Sequence, residues 1–149
     1  MTDRPSASLR SSFEHRQLSQ NMDRKLILCF SHRLTPEQER SARNGGITQF
    51  LTLPEELQSR WEGVPPQADL DLQQYLKPLF RWLEEVVAPD DLILVQGDYG
   101  AVYRTVRFCK ARHWTAIYAT TERRMESRSQ GDGSVVIRRH FRHVAFRKY

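Results

Sequence analysis

The sequence predicts an α/β three-layer fold with a mostly parallel central sheet and a C-terminal antiparallel hairpin. Three observations carry that prediction. Short unbroken apolar runs, Leu26-Ile27-Leu28-Cys29-Phe30 and Leu92-Ile93-Leu94-Val95, have the continuity of strands buried on both faces. Segments with helical periodicity and capping residues lie between the runs, which calls for crossover connections and parallel pairing. The last third breaks this alternation, because Gly131-Asp132-Gly133 is a turn between β-rich flanks.

The elements follow in order. Residues 1–21 lack hydrophobic periodicity and read as a disordered tail, which leaves one ordered domain over 22–149 with Met22 as an alternative start. The first strand covers 26–30 and ends in the loop Ser31-His32-Arg33. Thr35-Pro36-Glu37-Gln38 joins an N-cap, a proline at the first helical position and a capping-box glutamine, and Gly45-Gly46 stops that helix. A shorter strand spans 47–51, Pro54 opens a helix through Trp61, and Pro65-Pro66 breaks the chain. Leu72, Tyr75, Leu76, Leu79, Phe80 and Leu83 recur at helical spacing, with a kink expected at Pro78. Pro89-Asp90-Asp91 turns into a third strand over 92–95, followed by a helix over 99–112 and a fourth strand over 115–119.

With 149 residues, 39% of them hydrophobic, the chain has enough material for one sizeable core. No apolar run approaches the ~20 residues needed to cross a bilayer. The first twenty residues hold no apolar segment of the signal-peptide kind, so a cytoplasmic protein without a membrane partner is expected. Cys29 and Cys109 sit among core-like residues without metal-ligand spacing and read as reduced, buried thiols. Charge is unevenly spread. Residues 101–149 carry twelve Lys and Arg against three Asp and Glu, a net of +9, whereas residues 1–100 carry eleven against fifteen, a net of −4.

In open parallel sheets, ligands bind beyond the carboxyl ends of the strands. Three segments fall there: Ser31-His32-Arg33, Gln96-Gly97-Asp98-Tyr99-Gly100, and 120–124. Glycines allow close backbone approach, and a following helix offers free amides to a phosphate. Ser31, Thr120 and Thr121 add hydroxyls, while Arg123 and Arg124 add forked, permanently charged donors. Each has a plainer reading. Gly97 and Gly100 make a tight strand-to-helix turn with Asp98 as N-cap, and Ser31, Thr120 and Thr121 serve as turn or cap residues. The 96–100 turn is neither GxGxxG nor a Walker loop with its lysine, which disfavours dinucleotide and nucleoside-triphosphate enzymes. His140 and His143, three apart in an expected strand, point to opposite faces unless a bulge intervenes, so a zinc site is not expected. No acidic cluster suggests a two-metal centre, and neither metal nor cofactor is expected.

Leu28-Cys29-Phe30-Ser31-His32-Arg33-Leu34-Thr35-Pro36-Glu37-Gln38, LPEELQSRW, LVQGDYG, YATTERR and the closing DGSVVIRRHFRHVAFRKY together resemble a small CRISPR-associated family, the twentieth of the Csx series, over residues 24–149. The resemblance implies a Rossmann-like fold related to CARF domains and an ancillary role in type III CRISPR defence. It further implies a cyclic oligoadenylate ligand, with cyclic tetra-adenylate foremost, cleaved as a ring nuclease by a homodimer. A non-catalytic binder of the same ring and an RNA-binding protein are the competing readings, whereas DNA is not an expected partner.

Ring opening needs no metal if a ribose 2′-hydroxyl attacks the adjacent phosphorus in line, so the chain has to hold geometry and neutralise charge. Arg123 and Arg124 are the candidates for charge stabilisation, and Thr120 and Thr121 for phosphate contacts. Ser31, His32 and Gln96 through Gly100 would shape the nucleotide pocket, with Tyr99 or Tyr118 stacking on adenine. His32 or His143 would serve as general base, since histidine ordinarily titrates near neutrality. Phe141, Val144 and Phe146 carry a competing role in packing against the sheet or a partner subunit.

Overall fold

A computed structural model describes residues 23–149. The expected tail and the start at Met22 lie outside the described residues. The strands are β1 (Lys25–Phe30), β2 (Gln49–Thr52), β3 (Leu92–Gln96), β4 (Thr115–Ser129) and β5 (Val135–Lys148). The helices are α1 (Pro36–Asn44), α2 (Glu55–Glu62), α3 (Leu72–Val86) and α4 (Tyr99–Ala111). The sheet runs in the order β2-β1-β3-β4-β5, parallel through β4, with β5 antiparallel at its edge.

Alternating side chains of the central strands feed two cores. Ile27, Cys29, Ile93, Val95 and Ala116 pack against α2, α3 and α4 on one face. Leu26, Leu28, Leu94 and Ile117 face the other way, toward α1. These runs are apolar throughout because both faces are covered. The two faces are unequally sealed, three helices against one, and Phe146 of β5 completes the α1 side.

Local chemistry explains the ends. Thr35 and Gln38 form the reciprocal capping box that starts α1. The buried Asp91 carboxylate accepts from the Lys25 and Ala88 backbone amides at 2.9 and 2.8 Å and pairs with Lys25 Nζ at 2.8 Å, which pins the start of β1 to the turn before β3. Helix α3 continues through Pro78, which lies on its exposed side, where the carbonyl that the proline cannot bond is open to solvent rather than sealed in the core.

Burial pushes the Cys109 thiol up to about 12 and raises Cys29 as well. Both should therefore ignore Ellman's reagent near pH 8 in the native protein and react only after denaturation. Stoichiometric native labelling of either thiol would show that the α4 side of the core opens readily.

The last third departs from the expected boundaries. The fourth strand does not end at 119 but continues to Ser129, paired with β5 along its length, so 120–124 is strand rather than loop. The return of β5 supplies the ladder bonds that the parallel sheet no longer offers beyond Ile117. The outer part of this hairpin, residues 121–142, is exposed throughout and projects as an arm from the carboxyl edge of the sheet. Thr120 pairs with Ala145 and Thr121 with His143, which leaves Val144 as an extra residue in β5, a β-bulge at the root of the arm.

Candidate functional site at the strand ends

The carboxyl ends of β2, β1, β3 and β4 share one edge of the sheet. The chain leaves β1 toward α1 on one face and β3 toward α4 on the other, so the divergence between β1 and β3 is where a ligand crevice forms in such sheets. Helix α2 lies across this point. Gln58 Nε2 donates to the Phe30 carbonyl at 2.8 Å, and Trp61 Nε1 donates to the Gln96 carbonyl at 3.0 Å. Two residues three apart on one helical face therefore close the last carbonyls of two adjacent strands.

The 96–100 turn is built around that contact. A Cβ on Gly97 would lie 2.9 Å from Trp61 Nε1, and one on Gly100 would lie 2.8 Å from Leu72 Cδ2. Asp98 caps α4 by accepting from the Ala101 amide at 2.9 Å. Gln96 Oε1 accepts from the Ala119 amide at 2.8 Å, extending the β3–β4 pairing past its last backbone rung. The glycines answer to close packing and the polar side chains to caps and ladder. Tyr99 alone points outward, 94% exposed.

The open volume lies beside the turn. A pocket of about 800 Å³ sits between the ends of β1 and β2, the start of α1 and the exposed side of α2. Phe30, Leu34, Phe50 and Leu53 give it apolar walls, and Ser31, His32, Arg33 and Gln58 give it polar groups. His32 rests edge-on against Phe30 with centroids 5.6 Å apart. Glu39, Glu55 and Glu62 stand at the same pocket, so its acceptors outnumber its cations. A planar base with exocyclic amino groups suits such walls better than a row of phosphates does.

A family profile described as "Uncharacterized protein MJ1673 family" matches residues 24–147. The chain belongs to the MJ1673 family. Uncharacterized protein MJ1673 of Methanocaldococcus jannaschii is 42% identical over 126 residues, which cover 84% of this chain and 96% of that protein. No solved structure matches the chain. The MJ1673 family match takes in the strand-end pocket and the hairpin arm alike.

Of the residues singled out from the sequence, Ser31 and His32 line the pocket of this MJ1673-family chain, whereas Gln96, Gly97, Asp98, Tyr99 and Gly100 do not. Thr120 is tied into the hairpin, its hydroxyl donating to the Ala145 carbonyl at 3.1 Å. Thr121, Arg123 and Arg124 lie on the arm. As neighbours in a strand, Arg123 and Arg124 point to opposite faces and cannot both serve one site. Arg123 lies over the Phe141 ring at 5.6 Å, and Arg124 Nε pairs with Glu122 at 2.9 Å. His140 and His143 also fall on opposite faces, since the bulge lies beyond both. Among the described residues, no three His, Cys, Asp or Glu side chains come close enough together to hold a metal ion.

His143 is placed for packing rather than proton transfer. Both ring nitrogens are shielded and unpartnered, and the ring tilts against Phe146 with centroids 4.8 Å apart. Burial lowers its pKa from 6.5, opposed by Glu37 on α1. A depressed histidine favours the neutral form in the fold, so its contribution is present above its unfolded pKa and lost as pH falls. Denaturant titrations from about pH 7.5 down to about pH 5 should show this loss, and His143→Leu should reduce that slope. An unchanged slope would place the acid-sensitive group elsewhere.

Sequence reasoning placed Arg33 in a candidate strand-end loop without a role, and missed Phe50 and Gln58 as pocket residues. The signal for Gln58 was its spacing from Trp61 in LPEELQSRW, which puts both on the helical face that meets the sheet.

Proposed function

We propose that this MJ1673-family chain binds a cyclic oligoadenylate, with cyclic tetra-adenylate foremost, and opens the ring as a metal-independent nuclease in the cytoplasm. The observation that supports this reading best is the pairing, at one sheet edge, of a base-sized pocket holding His32 with an arginine-bearing arm. Phe30 and Phe50 would sandwich or flank adenine, while Gln58 and a rim carboxylate read its edge. In the reaction the ribose 2′-oxygen bonds to the adjacent phosphorus as the bond to the 5′-oxygen breaks. His32 takes the 2′-hydroxyl proton, water gives a proton to the departing 5′-oxygen, and an arginine neutralises the phosphorane. The resulting hydroxide takes the proton back from His32. The products are linear oligoadenylates with a 2′,3′-cyclic phosphate and a 5′-hydroxyl.

Incubation with radiolabelled cyclic tetra-adenylate, with and without EDTA, tests the proposal. Linear products under both conditions support it. Retention of the intact ring points to a non-catalytic binder, and absence of ring binding with salt-sensitive binding of single-stranded RNA points to an RNA-binding arm.

A further inference from the structure

The arm is amphipathic. Cross-strand pairing puts Arg123, Met125, Val135, Ile137, Arg139 and Phe141 on one face, and Glu122, Arg124, Glu126, Arg138, His140 and Arg142 on the other. The second face is a surface of exposed charges, with Arg124–Glu122 at 2.9 Å and His140–Glu126 at 3.9 Å. The first leaves Met125, Val135, Ile137 and Phe141 between 58% and 67% exposed. A two-stranded ribbon is marginal in water by itself, and a row of large apolar side chains on one needs a cover.

We propose that the cover is a second copy of this chain, with each arm laid across the strand-end pocket of its partner. Charge and shape select that occupant. The arm face is apolar and cationic, whereas the pocket has apolar walls and the carboxylates of Glu39, Glu55 and Glu62. The arm itself, residues 121–142, carries six Arg against three Asp and Glu, a net of +3, so the attraction is local, between these arginines and the three carboxylates at the pocket. Nine β4 residues beyond Thr120 give the arm a reach of about 30 Å, enough to cross a neighbouring domain. Each arm's four large apolar side chains would cover several hundred Å², and the two contacts together reach about the lower limit of a specific interface.

The exchange also resolves a separation within one chain. Ser31 and His32 line the pocket, but no arm residue does. An arm exchanged in trans brings the partner's Arg123 over the pocket that holds His32, so each site takes its base from one protomer and its arginine from the other. This catalytic consequence rests on the function proposed above, whereas the dimer itself does not.

The mass in solution is the primary test, read by light scattering across a concentration series. The wild-type chain should be a dimer. Ile137→Asp with Phe141→Asp should yield monomers with unchanged circular dichroism, since both side chains lie outside the core. Glu55→Lys with Glu62→Lys should also yield monomers. Mixing the two variants should restore association that is weaker than wild type, because one of the two arm-to-pocket contacts is intact in the mixed pair. A monomeric wild type, or a dimer indifferent to either variant, overturns the proposal; a dimer lost with the arm substitutions but indifferent to Glu55→Lys with Glu62→Lys would mean arm-to-arm packing instead. If the chain dimerises as described yet leaves every cyclic oligoadenylate intact, the exchange stands and the nuclease reading falls. If it opens the ring, mixing His32→Ala with Arg123→Ala should regain roughly a quarter of wild-type activity, since half the dimers then carry one complete site of two. No regain from a mixture shown to exchange subunits would overturn the shared site.

Discussion

Substituting Trp61 by Ala should destabilise the fold by about 3–5 kcal/mol, the largest loss expected from any single residue of α2. The indole is 2% exposed, packs beneath Gly97 and donates to the Gln96 carbonyl. Removing it leaves a cavity at the junction of β3, α2 and α4, and an unbonded carbonyl at a strand end. Urea denaturation measures the loss, and Trp61→Phe separates its parts by keeping much of the volume without the donor. Gly97→Ala probes the same contact from the other side, since its methyl group enters the indole and should cost about 1–3 kcal/mol. A loss under about 1 kcal/mol for Trp61→Ala would mean that α2 does not anchor the strand ends.

His32→Ala should lower the rate of ring opening by roughly 10²-fold or more, with ring binding changed far less, if His32 takes the 2′-hydroxyl proton. Its place at the pocket wall, in edge contact with Phe30, keeps the effect local, so stability should be almost unchanged. Single-turnover cleavage at saturating protein isolates the chemical step from binding. An unchanged rate would remove His32 from the mechanism and leave in-line positioning as the source of acceleration. Ser31→Ala offers a contrast, because a hydroxyl that only contacts the ligand should raise the dissociation constant and spare the rate.

Most of the sheet was legible because its signals are local. The buried runs at 26–30 and 92–95, the Thr35 to Gln38 capping box and the Gly131 to Gly133 turn each state their structure within a few residues. The site was less legible because its groups meet through packing. Gln96 reads as a ligand contact until Ala119 is seen to occupy its oxygen, and Gly97 as a phosphate approach until Trp61 fills the space a Cβ would take. Arg123 and Arg124 form a tempting pair in sequence, but strand alternation parts them. The pocket was anticipated only through Ser31 and His32, because Phe50 and Gln58 come from separate elements, brought together only when α2 docks on β1.

The extra residue at Val144 has a consequence for how this surface can change over time. His143 and Phe146 are three apart, yet both face α1, and only the inserted residue allows that in a strand. Pairing has a period of two, so a single slip reverses every side chain beyond it. Deleting Val144 while the turn at 131–133 holds its place causes no such slip, because His143 then meets Ala145 directly and the Thr121–His143 and Thr120–Ala145 pairs both stand. What is lost is the bend and extra twist of the bulge. The aim of the arm is thus stored in the number of residues as much as in their identity, and the loss of one codon would redirect it while leaving every cross-strand pair intact.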